Sequence, residues 1–273
     1  MDAGANLPDI SSILFATNKS SASHEAFAHA LAVALVRRAS LTILECKERV
    51  RGPAISPAVR RTLAGWGLLS PRAARREVAE KLGLRVVKQP GRGHRLKAVT
   101  RYAYEEPTDL VVVSSEPLPG WRRVLRPGRV ARICEATPGM TLFVPRDGQG
   151  LVSAEDGTLS LQHIVVVLDE VPEPEVPLLR ALDAAKAYGD AEVRITRLHV
   201  GEPSAPPPDL GAEPDGVWED RHHEGSAEDA WIAASEEADL LVMSRPARKR
   251  LERALPKLAC PTLVIPAPTV STD

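Results

Sequence analysis

The chain has 273 residues, 44% hydrophobic and 26% charged. That is the balance of a soluble globular protein of about two domains, with no apolar run near the ~18 residues a membrane helix needs. Its net charge of −1 hides a split, because residues 1–150 carry 24 Lys+Arg against 13 Asp+Glu, and the remainder 11 against 23. The halves are therefore predicted to attract each other, and basic stretches interleaved with aromatics, which would indicate nucleic acid, are missing.

In chain order, residues 1–9 hold two acids, no base and no useful apolar stretch, which does not read as a signal peptide. Ile13-Leu14-Phe15-Ala16 reads as a strand buried on both faces, and Ala26, Phe27, Ala30, Leu31, Ala34 and Leu35 recur at helical spacing. A strand follows at 41–44, then a helical stretch at 57–82 containing Trp66, and a strand at 84–88. Gly91-Arg92-Gly93-His94 looks like a phosphate loop, but no Lys-Ser/Thr follows, so it is read as a turn into a helix over 96–104. Strands are then predicted at Asp109-Leu110-Val111-Val112-Val113-Ser114 and Thr141-Leu142-Phe143-Val144.

The order then repeats. A Gly-, Asp- and Ser-rich linker at 146–160 precedes the run Ile164-Val165-Val166-Val167-Leu168. Helical apolar positions follow at Leu178, Leu179, Leu182, Ala185 and Ala187, and a strand at 193–200. The proline-rich 201–209 cannot be helical and reads as a surface loop where the first unit has its extra helical stretch. His222 and His223 fall in a polar extended stretch, where adjacent side chains point to opposite faces, so no metal is expected there. A helix at 227–237, then Asp239-Leu240-Leu241-Val242-Met243-Ser244 and Thr262-Leu263-Val264-Ile265, match the end of the first unit. Alternating strands and helices written twice predict an α/β fold: two tandem doubly wound parallel-sheet, Rossmann-like domains at 10–147 and 160–268.

This pattern resembles the universal stress protein family, whose unit ends in an Asp-Leu-Ile-Val-Met-Gly-like strand, a glycine-rich loop, a helix and a last apolar strand. Ala259-Cys260-Pro261-Thr262-Leu263-Val264 is particularly similar to the family's entry into that last strand. The resemblance implies that 141–144 and 262–265 pair within the chain as an intramolecular pseudo-dimer, giving a monomer with an internal pseudo-two-fold axis, or else a homodimer. It also implies an ATP site at the carboxyl ends of the strands, built from Gly-x-x-Gly, nine residues, then Gly-Ser or Gly-Thr, with an Asp after the first strand. Glycines let backbone N–H groups approach phosphates there.

Mapped onto this chain, the motif is eroded in both units. In the first, Ser114 and Pro117 replace the two glycines, Pro127-Gly128 replaces the final pair, Gly120 remains, and Asn18, after Thr17, stands at the Asp position. The second keeps Asp169, but Ser244-Arg245-Pro246-Ala247-Arg248 has no glycine. The candidate ligand residues are thus Thr17, Asn18, Ser114, Gly120, Gly128, Arg129, Asp169 and Ser244. Basic flanks, Arg122, Arg123, Arg126, Arg129 and Arg132 in one unit and Arg245, Arg248, Lys249, Arg250, Arg253 and Lys257 in the other, read either as solvated helix faces or as guanidinium forks for an anion.

No nucleophile elbow, triad order or metal spacing supports hydrolase chemistry. The three cysteines, Cys46, Cys134 and Cys260, lie far apart without CxxC spacing, which suits a reducing cytoplasm and buried thiols. The expectation is a cytoplasmic stress-response binding or regulatory protein rather than an enzyme, with degenerate nucleotide sites. It would act through an anionic or nucleotide ligand or through protein contacts. The alternative is an ATP-binding switch or slow ATPase using the first domain.

Overall fold

The computed structural model describes residues 9–17, 23–46, 58–114, 128–146, 150–168, 174–189, 192–201 and 217–266. The first half runs β1 (Ser12–Thr17), α1 (Ser23–Arg37), β2 (Ser40–Cys46), α2 (Val59–Gly65), α3 (Arg75–Leu82), β3 (Val86–Gly91), α4 (Arg95–Glu105), β4 (Leu110–Ser114), α5 (Arg129–Ala136) and β5 (Met140–Val144). The second runs β6 (His163–Val167), α6 (Glu175–Tyr188), β7 (Arg194–Val200), β8 (Val217–His223), α7 (Ala227–Glu237), β9 (Leu240–Ser244), α8 (Arg248–Ala254), a 3-10 turn (Leu255–Lys257) and β10 (Thr262–Ile265).

All ten strands form one sheet, in the order β3-β2-β1-β4-β5-β10-β9-β6-β7-β8. Every neighbouring pair is parallel except β5 and β10, which meet antiparallel with Leu263 opposite Leu142. Strands β4, β5, β6 and β10 are buried along their whole length, as their unbroken apolar runs require of strands covered on both faces.

One continuous core lies on the α1 and α6 face and spans both halves, from Leu41 and Phe15 through Leu142 and Leu263 to Val166 and Ile195. On the opposite face, α4 covers Leu14, Val111 and Val113, while α7 and α8 cover Val165, Leu241 and Met243. Helix α5 contributes Ala131 and Cys134 to the second-half cluster, so the seam is packed by helices as well as by strands.

The repeated Asp-Leu pair has a structural reason. Asp109 Oδ2 accepts four hydrogen bonds of 2.8–2.9 Å from the backbone and hydroxyls of Ser11 and Ser12. Asp239 Oδ2 accepts from the N–H groups of Gln162 and His163. Each carboxylate thus fastens the start of its unit's first strand to the start of the fourth. Burial works to raise the Asp109 carboxyl, but these donors outweigh it and hold it below the usual range.

Three expectations are refined. The helical stretch at 57–82 is two short helices, broken after Gly65 by Trp66 and Gly67. The predicted linker packs against the protein over its described residues 150–160: Val152 bridges Leu159, and Leu151, Val152 and the following Leu161 are buried. Two residues of the first half hold it. The Trp66 indole N–H donates to Ala154 O at 3.3 Å, and Val152 N–H donates to His29 Nε2, also at 3.3 Å. Finally, the charge split accounts for only part of the seam. Arg37 pairs with Asp183 at 2.6 Å in the expected sense, whereas Arg248 of the acidic half pairs with Glu135 of the basic half at 3.1 Å.

Of the surface loop expected at 201–209, all but Gly201 lies outside the described residues. Among the described residues no helix is long and apolar enough to cross a membrane, and no cluster of three His, Cys, Asp or Glu side chains has metal-binding geometry.

Candidate functional site

In a parallel unit the strands' carboxyl ends form the crevice where ligands bind. Because β5 and β10 run antiparallel, the two halves place these crevices at opposite ends of the common sheet. The predicted residues therefore divide into two groups. Thr17, Ser114, Gly128 and Arg129 belong to the first-half end and Ser244 to the second, while Asn18, Gly120 and Asp169 lie outside the described residues.

At the first-half end, Thr17 and Ser114 each stand two residues beyond the paired Phe15 and Val112, so strand alternation puts both hydroxyls on the same face of adjacent strands. Both residues are buried, and among the described residues Ser114 Oγ has no hydrogen-bond partner. Gly128 caps the start of α5 with φ of 90°, a left-handed conformation that favours glycine. Any side chain added there would also collide with the carboxylate of Glu252, which α8 of the second half lays against it. Since α5 has no acidic residue in its own first turn, Glu252 supplies the negative charge that the positive end of the helix attracts.

At the second-half end, Ser244 is followed at once by Arg245, whose N–H donates to Ile265 O at 2.7 Å. The Arg245 guanidinium reaches across the seam to Glu135 O at 3.2 Å and Thr137 O at 2.8 Å, the carbonyls at the negative end of α5. Arg248 adds its bonds to the Glu135 and Glu252 carboxylates, and Arg253 pairs with Glu228 at 3.4 Å. Much of this basic segment is therefore spent on protein contacts, and sequence alone could not reveal those of Arg245 and Arg248 with α5, whose residues lie more than a hundred positions away. Arg122, Arg123 and Arg126 lie outside the described residues.

The cysteines are buried and free, and burial pushes the thiols of Cys134 and Cys260 up to about 12, leaving them protonated and unreactive. His222 stacks on His199 at 4.8 Å, and His199 pairs with Asp220 at 3.0 Å.

The family model described as the universal stress protein family matches residues 10–144. Residues 10–144 belong to the universal stress protein family. The chain's second half shares the fold. A universal stress protein from Archaeoglobus fulgidus DSM 4304 aligns over 96% of this chain and 98% of its own, at 14% identity and a TM-score of 0.64. A functionally unknown protein from Pseudomonas aeruginosa PAO1 aligns over 94% and 93%, at 14% identity and a TM-score of 0.58. The cytoplasmic domain of a prokaryotic cation chloride cotransporter aligns over 94% and 96%, at 9% identity and a TM-score of 0.51. At these identities the likeness concerns the fold, and one fold serves different roles. No curated protein matches the chain.

Proposed function

We propose that this member of the family is a cytoplasmic, stress-related regulatory protein whose two nucleotide sites have been turned to holding its halves together. The units are residues 10–147 and 160–268, packed as an internal pseudo-dimer. The observation that carries this reading is reciprocal occupation. Where the family's cradle would present the start of α5 to phosphate, Glu252 of the second half already supplies an anion. Where the second cradle would begin, Arg245 and Arg248 are bonded to the far end of α5. Such a protein acts through contacts with other proteins or through a ligand other than ATP, without turnover.

Nucleotide content of the purified protein and a thermal shift with ATP and Mg test this. A ligand at a hundred times its dissociation constant adds about 2.7 kcal/mol. The expected result is no co-purified nucleotide and no shift, whereas a stoichiometric Mg-ATP complex overturns the reading.

One observation favours a second reading, an ATP-binding switch in the first half: the buried Ser114 hydroxyl, without a partner among the described residues, beside Thr17 at the strand ends. Under it, Ser114→Ala weakens ATP binding by about tenfold, the worth of one hydrogen bond to a charged group. Equal affinity in the variant removes it.

A further inference from the structure

Apart from Thr17 and Ser114, a cavity of about 360 Å³ opens between α4 and the edge strand β3. Its floor is apolar, formed by Leu44 and Ala98, which are 3% and 2% exposed. One wall is Pro90, which lacks an N–H, and the other is Tyr102, whose hydroxyl lies 3.2 Å from Thr42 Oγ1 and so fixes the ring. Two guanidinium groups stand at the rim. Arg92 forms no ion pair among the described residues, and Arg101 Nε lies 3.8 Å from Glu105 Oε1, beyond hydrogen-bond distance. Their donors are available to a third party.

The second half provides an internal control, because its backbone repeats this corner. Leu198 pairs with Arg221 where Leu44 pairs with Gln89, and α7, like α4, has 11 residues. By that register Gln89, Arg92, Arg101, Tyr102 and Glu105 correspond to Arg221, Glu224, Ala233, Ala234 and Glu237. There the edge strand and the helix are tied by the Arg221–Glu237 ion pair at 2.9 Å, and both rim arginines are gone. Helix–sheet packing alone therefore does not call for the first-half chemistry. One copy is bridged, its arginine already paired with a carboxylate; the other is open, with an apolar floor, an aromatic wall and two cations.

We propose that the α4–β3 groove of the first half binds a small planar aromatic carboxylate. The ring sits on Leu44 and Ala98 between Pro90 and Tyr102, and the carboxylate meets the Arg92 and Arg101 guanidiniums, with the Gln89 amide beside them. Glu105 repels a second negative charge, which selects a monoanion over a dianion. The volume falls within the usual range for small-molecule sites, about 300–1,000 Å³. This site shares no residue with Thr17, Ser114, Gly128 and Arg129 and needs no nucleotide.

Fluorescence anisotropy of 2-naphthoate titrated with the full-length protein tests the proposal. The expected result is saturable one-to-one binding, weakened at least about tenfold by Arg101→Gln through loss of a charge-assisted hydrogen bond. Gln89→Arg, which installs the second half's bridge to Glu105, abolishes binding while the thermal melt stays in place. Neutral 2-naphthamide binds at least about tenfold more weakly than the acid. Absence of saturable binding by the wild-type protein overturns the proposal, as does affinity that survives both substitutions. Equal binding of acid and amide overturns the assignment to an anion.

Discussion

The two halves share a winding order and diverge in what they set against the same backbone positions. In the first, Leu41 and Ile43 of β2 join the core that also holds Leu63 of α2 and Val78 of α3. In the second, the matching positions on β7 are Ile195 and Arg197, and Arg197 pairs with Asp220 at 2.6 Å and lies 5.4 Å from the centre of the Trp218 ring. The sheet thus tolerates an apolar cap or a polar cluster at one register, because its continuity depends on backbone pairing and the central strands. The difference teaches that divergence was confined to edges, crevices and helical additions. The pairing of the last strands and the Asp-fastened strand starts stayed alike.

That comparison can be broken first at the added helices. Leu63 is fully buried, so Leu63→Ala is expected to cost about 2–5 kcal/mol in urea denaturation, a cavity cost with no counterpart among the described residues of the second half. A loss below about 1 kcal/mol would mean that α2 is dispensable cover.

The packed linker gives the next largest effect. His29 Nε2 accepts from Val152 N–H, so Nδ1–H donates to Glu25 O at 2.8 Å, and burial lowers the imidazole from 6.5 to about 4. The folded state resists protonation more than the unfolded state does. Stability attributable to His29 is therefore intact above pH 6.5, declines as pH falls below it, and is about 3 kcal/mol lower by pH 4. His29→Gln flattens that slope in denaturation profiles, and an unchanged slope contradicts the account.

The two strand-fastening carboxylates sharpen the comparison further. Asp109→Ala removes four accepted bonds and is expected to cost about 2 kcal/mol, and Asp239→Ala, which removes two, about 1 kcal/mol. Because the Asp109 carboxyl is held low, its contribution is present above the ordinary carboxylate range and fades as pH falls through its lowered value. Equal losses from the two variants would show that bond number does not set the difference. The smallest effect belongs to Arg248, 41% exposed, whose change to alanine is expected to cost no more than about 0.5 kcal/mol in the same assay.

Much of the fold was legible because its strands are short, continuous apolar runs and each unit repeats the Asp-Leu start. The helix at 227–237 and the turn at Gly91-Arg92-Gly93-His94 followed from spacing and from the missing Lys-Ser/Thr. The burial within the linker was not legible, because Leu151, Val152, Leu159 and Leu161 are isolated among Gly, Asp and Ser, without a period to announce it. Of the candidate site, the lack of glycine in 244–248 was visible at once. The tasks of Arg245 and Glu252 were not, since their partners are fixed by a strand pairing that no local pattern encodes. The α4–β3 groove escaped for a similar reason: Leu44, Gln89 and Tyr102 come from three separate elements.

The antiparallel meeting of β5 and β10 has one last consequence. A separate pair of subunits joined at such an edge would come apart on dilution, and each copy would have to serve as its own mate. Here a covalent tether fixes the local concentration of one half for the other, so the union withstands dilution. One copy can then accumulate substitutions that would be ruinous in a self-pairing surface, such as Glu252 facing Gly128, because the opposing surface is encoded separately and can change in answer.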